Sequence, residues 1–293
     1  MRRNEYLPEG MGPQFPEDQP LSVLRQAMEE QTVLEGFAVR CDARRDLTVR
    51  FGGYEGVIPR LDAVHPAISG AERDIAVLSR VGKPACFTVT AIETDGGGKP
   101  HLRLSRRAAQ EQAIAFLIDH GEPGTVLPAK VTHLENFGAF VDLGCGVTSL
   151  IPLENISVSR VAHPSDRFQV GQEILAVVTD VDATACRFYL SHKELLGTWL
   201  ENAANFAPGE AVPGIVRGVK DYGIFIELTP NLSGLAEWRG DVKPGDAVSV
   251  YIKSIRPDTR KVKLQIIQKL GPAEHPAPIK YYVTDGPLKS WCY

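Results

Sequence analysis

Apolar and polar residues alternate along FGAFVDL (137–143), EILAVVTDV (173–181) and RFYLS (187–191). This period of two is the signature of half-buried strands. Gly, Asp, Asn and Pro cluster between such runs at intervals of about 8 to 12 residues, as in proteins built of many short strands. Three stretches break the rhythm with helical spacing. LSVLRQAMEEQ (21–31) reads as one short helix, SRRAAQEQAIAFLIDHG (105–121) as a longer one stopping at Gly121, and SHKELLGTWLENAANF (191–206) as a third. The polar, proline-bearing first 20 residues are expected to be mobile. GPAEHPAP (271–278) reads as a linker, and IKYYVTDGPLKSWCY (279–293) as two short aromatic strands around Asp285-Gly286.

The pattern also repeats. Gly124, Pro128, Val131, Gly138, Phe140, Leu143 and Leu150 return 85 positions later as Gly209, Pro213, Val216, Gly223, Phe225, Leu228 and Leu235. The later copy then lacks 11 residues, because Gly171 corresponds to Gly245. A fainter copy precedes both, since GKPACFTVTAIETDGGGKPHLRLS (82–105) ends as the middle unit does. Three tandem units result, at 32–107, 122–192 and 208–268, with helices at 108–121 and 193–207 between them. Five strands in about 70 residues suit the OB-fold, a small closed barrel with few exposed edges. The expected fold is therefore all-β: three five-stranded OB barrels joined by short helical linkers, with a small helix in 1–31 and an aromatic tail in 269–293.

Composition narrows the class. The 293 residues carry 32 Lys plus Arg against 36 Asp plus Glu, 43% hydrophobic and 23% charged, as in soluble globular proteins. A net charge of −4 argues against coating nucleic acid by charge alone, so any polyanion site is local. No apolar run reaches the roughly 18 residues of a membrane span, and the N-terminus has no secretory core. The five scattered cysteines form no C-x-x-C pair. A reduced cytoplasmic protein is expected.

At this point the units resemble the S1 RNA-binding domain, the repeat named for the large RNA-binding protein of the bacterial small ribosomal subunit. The middle unit carries the resemblance in NFGAFVDL, LIPLENIS, VGQEILAVVTDVD and RFYLS; the last answers with DYGIFIEL, SGLAEW, PGDAVSVYIKSI and KVKLQ. It covers roughly 32 to 268, and three-repeat bacterial proteins of this kind resemble shortened relatives of ribosomal protein S1. It implies single-stranded RNA binding (mRNA or rRNA), translation and no catalysis.

Single strands are held by rings that stack on bases, at roughly 1–3 kcal/mol per base, beside cations that follow the phosphates. In the middle unit Phe137 and Phe140 flank Gly138. A strand bent at that glycine would bring both rings to one surface, leaving Ala139 and Val141 to the core. The resemblance implies that both rings sit on the RNA face, with Arg187 and Asp182 beside them. Pro152 replaces the family's histidine, and the unit holds four Lys or Arg against eight Asp or Glu, so stacking must dominate there.

The last unit pairs Tyr222 with Phe225, places Lys261 where Arg187 stands and exchanges Asp182 for Arg256. Arg217, Lys220 and Lys253 border that face, and nine basic residues face seven acidic ones. Glu237 takes the histidine place. Trp238 beside it is either a further stacking platform or a lid on the barrel. The first unit puts Arg44 and Leu47 in the two aromatic places, so it reads as a docking module, by analogy for small-subunit ribosomal proteins, or as a phosphate contact without stacking.

Catalysis finds no support. The seven histidines show neither H-E-x-x-H nor H-x-H spacing, DGGGKP (95–100) reads as a hairpin turn, and no nucleophile signature is present. No cofactor, metal, membrane or small-molecule substrate is expected. Two functions stay open: RNA binding through the second and third units, and a protein-interaction scaffold docking on the ribosome or another ribonucleoprotein.

Overall fold

A computed structural model describes residues 6–69, 74–94, 96–98, 100–273 and 279–293. Three closed five-stranded barrels make up the chain. The first comprises β1 (Leu34–Cys41), β2 (Leu47–Phe51), β3 (Tyr54–Ile58), β4 (Pro84–Thr94) and β5 (Pro100–Ser105). The second comprises β6 (Val126–Glu135), β7 (Gly138–Asp142), β8 (Thr148–Pro152), β9 (Glu173–Asp182) and β10 (Arg187–Ser191). The third comprises β11 (Ala211–Lys220), β12 (Gly223–Thr229), β13 (Leu232–Ala236), β14 (Asp246–Arg256) and β15 (Lys261–Pro272). In each barrel the first strand pairs with the second and fourth, and the third meets the fifth in parallel to close the cylinder. This is the OB topology that the strand pattern predicts.

Period-two burial drives each closure. In β7, Ala139 and Val141 are fully buried, and their counterparts Ile224 and Ile226 fill the third barrel. The helix Arg106–His120 begins at Ser105, whose hydroxyl accepts the Ala108 N–H at 3.1 Å and so satisfies one open donor. Its buried Ala109, Ala113, Ile114 and Leu117 extend the core of the second barrel.

Several expectations give way. Most of the first 20 residues are held in place: the Leu7 carbonyl accepts the Cys145 N–H at 2.9 Å, Tyr6 packs on Phe116 with ring centroids 5.5 Å apart, and Glu9 is buried. Residues 1–5 lie outside the described segments. The stretch 191–206 is not one helix. A 3-10 turn, Lys193–Leu196, ends at Gly197 with φ +80°, and Thr198 starts a new helix, Trp199–Ala203, through a reciprocal capping box with Glu201. In the first barrel the register sets Thr48, not Leu47, opposite Arg40 as Phe140 stands opposite His133; Leu47 is fully buried. The longer loop 42–46 displaced the sequence comparison by one residue. In DGGGKP and GPAEHPAP, residues 95, 99 and 274–278 lie outside the described segments.

β15 runs on to Pro272, into the stretch read as linker, whereas residues 279–293 form no strands. Several of their backbone donors reach other parts of the chain: Tyr282 N–H donates to the Leu195 carbonyl and Leu288 N–H to that of Gly124. Tyr293 packs against the third core, whereas Ile279 packs against the second. Tyr281 Oη accepts the Leu175 N–H at 3.0 Å and lies 3.2 Å from Nε2 of His192, whose Nδ1 is 2.8 Å from the Ile156 carbonyl. These partners assign a neutral ring, with Nδ1–H donating to Ile156 and Nε2 accepting from Tyr281.

His192 is fully buried, and that desolvation lowers its pKa to about 4. Between that value and the usual 6.5 the unfolded chain binds the extra proton, so this group's stability is lost as pH falls through the window. Asp142, pushed up to about 7 by burial and by the Glu9 charge, has the opposite sign and favours the folded state as pH falls. In urea unfolding at pH 7 and pH 5, wild type is therefore expected to lose about 2 kcal/mol more on acidification than His192→Gln. Identical pH dependence in the two proteins would exclude the histidine term.

Candidate nucleic-acid interface

The second barrel builds its outer surface around a tight turn. Glu135 pairs with Gly138, so Asn136 and Phe137 alone reverse the chain between β6 and β7. Phe137 therefore sits in the turn, 56% exposed, and Phe140 stands half-buried on β7. The rings reach one surface because of that turn rather than through a bend in the strand. Their centroids are 6.0 Å apart at 87°. Gly138 matters for a different reason: a Cβ there would collide with the Ile151 carbonyl oxygen and force β8 away.

From Phe140 a row of cross-strand neighbours crosses the barrel wall. His133 flanks it on β6 with ring centroids 6.4 Å apart, Leu150 on β8 lies on the other side, and Tyr189 on β10 follows, 48% exposed. Cross-strand neighbours of this kind stand about 5 Å apart, close enough to form one continuous surface. Arg187 is exposed at the start of β10, opposite Asp182. Asp182 has a local duty, since Oδ1 accepts the Ala185 N–H at 2.9 Å and shapes the β9–β10 turn.

The third barrel repeats the device. Tyr222, 71% exposed in the two-residue turn, meets Phe225 at 6.1 Å and 90°. Phe225 neighbours Leu235 on β13, and Leu235 neighbours Lys263 on β15. Where the second barrel carries Tyr189, the third thus carries a cation. Arg256 and Lys261 face each other across the β14–β15 hairpin, both exposed, as is Lys220 at the end of β11. Lys253 pairs with Glu237 at 3.1 Å. Trp238 is 61% exposed and lies over Gly240.

Arg217 requires correction. Its side chain is 8% exposed, and Nε donates to Glu227 at 2.9 Å. Arg167 from the second barrel forks the same carboxylate with two bonds of 2.8 Å. Burial alone would raise the Glu227 pKa, but the two guanidiniums outweigh it and hold the carboxyl below its usual range. Arg217 therefore belongs to the joint between barrels, where no strand can reach it. Sequence position could not distinguish a surface cation from a buried partner.

Tyr189 and Lys263 escaped the sequence reading. Each lies two residues beyond a residue that it did identify, Arg187 and Lys261, and alternation along a strand puts such pairs on one face. In the first barrel the same row runs Arg40, Thr48, Val57, Arg103, with no ring. Among the described residues, no three His, Cys, Asp or Glu side chains gather as metal ligands.

Fold and surface together define the class: a tandem array of OB barrels, two of which carry an exposed aromatic pair beside cations or further rings. Residues 121–193 match the family model of the S1 RNA binding domain. The chain thus carries an S1 domain, and it resembles bacterial small ribosomal subunit protein bS1. The bS1 of Leuconostoc lactis is 32% identical over 262 residues, covering 83% of this chain and 59% of that protein. The bS1 homolog of Bacillus subtilis is 36% identical over 159 residues, covering 53% of this chain and 41% of that protein. The chain spans about half the length of the curated relatives it matches. A multidomain protein with nucleic acid binding domains from Streptococcus pneumoniae aligns over 80% of this chain and 73% of its own, at 16% identity and a TM-score of 0.26.

Proposed function

We propose that the chain binds single-stranded RNA, mRNA or rRNA, in translation, using the outer faces of the second and third barrels. The observation that carries this reading is the recurrence of one exposed pair of rings, at 6.0 and 6.1 Å and nearly perpendicular, on two barrels of the same chain. Perpendicular neighbours leave each ring a free face on which a base can lie. Cations next to the second pair, Lys220, Arg256, Lys261 and Lys263, give the third barrel a phosphate-following rim, whereas the second relies on Phe137, Phe140 and Tyr189. The similarity to small ribosomal subunit proteins supports work at the ribosome.

The test is fluorescence anisotropy with a labelled unstructured RNA 20-mer at several salt concentrations. Phe137→Ala/Phe140→Ala and Tyr222→Ala/Phe225→Ala are each expected to cost about 2 kcal/mol or more, the second pair costing the most. Affinity of the third barrel should fall more steeply with salt, because it alone combines rings with several free cations. Wild type that stays unbound near physiological salt overturns the proposal.

One observation favours a docking role for the first barrel beside this activity. Phe37 and Leu61 are 49% and 67% exposed there, apolar area of the kind that partners cover.

A further inference from the structure

Between the first and second barrels lies a cleft of about 670 Å³ with walls from both. The first barrel contributes Ile75, Arg80 and Lys83; the second contributes Lys130, His133 and Val170. Such a volume suits a nucleotide-sized ligand. Ile75 and Val170 are 66% and 63% exposed, so the walls keep apolar surface open to solvent. Lys83 is exposed, and among the described residues its side chain has no hydrogen bond or ion pair. Lys130 Nζ donates to the Glu9 main-chain carbonyl at 3.1 Å, and the Glu35 carboxylate lies near enough to attract its charge.

Among the described residues, the acids in the walls are Glu9 and Asp142, both buried and both engaged. Arg106 and Arg80 hold the Glu9 carboxylate, and the backbone N–H groups of Glu9, Gly144 and Gly146 hold Asp142. What faces solvent is therefore cationic, which is phosphate chemistry. His133 belongs to both places: it lines the cleft, and its ring stands beside Phe140. Glu135 lies 2.7 Å from its Nε2, so the ring serves the rim as a surface rather than as a free cation.

We propose that this cleft continues the path of the strand, the backbone leaving Phe140 over His133 and placing phosphates at Lys130 and Lys83 with a sugar or base against Ile75 and Val170. The inference rests on the RNA reading of the second barrel. It gives the ringless first barrel a part in binding through charge and shape rather than stacking.

The experiment compares an oligouridine of about six residues with one of about 20, since a single OB barrel accommodates roughly 4–16 nucleotides and only the longer strand must extend past it. On the full chain, Lys83→Ala is expected to weaken the long strand about fivefold, to lower its salt slope by about 0.7, and to leave the short strand unchanged. Lys83→Glu should weaken the long strand further. Phe137→Ala/Phe140→Ala should weaken both strands. A 4-thiouridine in the long strand should crosslink to the peptide 75–84. If the ring variant loses affinity while both Lys83 variants match wild type, the path is wrong and the RNA reading stands. If wild type binds neither strand, both fall. If free uridine monophosphate saturates the cleft in a Lys83-dependent way while the long strand is indifferent to Lys83, the site belongs to free nucleotides and the path is overturned.

Discussion

Glu227→Ala is expected to lower the unfolding free energy by about 3–5 kcal/mol and to undock the third barrel from the second. The carboxylate is 2% exposed and is the shared partner of two guanidiniums, Arg167 at 2.8 Å and Arg217 at 2.9 Å, themselves 0% and 8% exposed. Removing it leaves two desolvated positive charges close together, a heavier penalty than the pair's net worth, because solvation lost on burial is no longer offset. Urea unfolding followed by circular dichroism measures the loss, and small-angle scattering measures the loosened joint. Replacing all three residues by apolar side chains of similar volume should restore most of the stability, since the penalty arises from unpaired charge rather than from lost attraction. A Glu227→Ala protein with unchanged midpoint and scattering would remove the ionic joint from the account.

Glu9→Ala should cost about as much, roughly 3–5 kcal/mol, at the other joint. Glu9 comes from a segment without regular structure, yet its carboxylate binds Arg106 Nε at 2.6 Å, meets Arg80, and accepts the Cys86 N–H at 3.2 Å. Burial would raise its pKa, and the two arginines overcome that and hold it low. The structure contains its own reporters for this joint. Cys86 and Cys145, 5% and 1% exposed on the facing barrels, are free thiols. In the variant both should react with a thiol reagent far faster than in wild type, at a rate that tracks the lost stability. Slow labelling together with unchanged stability would mean that Glu9 pins nothing.

The barrels were legible because closing a five-stranded sheet requires a period-two pattern in every strand, and the 85-residue repeat showed that pattern twice in register. The ring pairs were legible for the same reason: two-residue turns keep spacing constant, so Phe137 and Phe140 align with Tyr222 and Phe225. What escaped lay where local pattern carries no information. A lone Glu9 in a polar leader looks like any solvated acid until a fold brings Arg106 to it from 97 residues away. Arg217 has a surface cation's sequence context and a core residue's surroundings. The tail reads as a hairpin from its turn residues, but the groups that satisfy its backbone, the carbonyls of Leu195 and Gly124, belong to other parts of the chain.

The stretch 153–167 has one further consequence. It is the part of the second barrel that reaches the third, through Ser159 N–H on the Pro230 carbonyl, Val158 N–H on Asn231, and Arg167 on Glu227. With that clasp closed, the two ring pairs do not diffuse independently on a tether. On the proposed RNA reading, a polymer caught by one pair meets the other at a local concentration set by fixed geometry, and no linker has to be ordered first. Avidity then depends on length as a threshold: a ligand too short to span the gap gains nothing from the second face, and one just long enough gains nearly all of it.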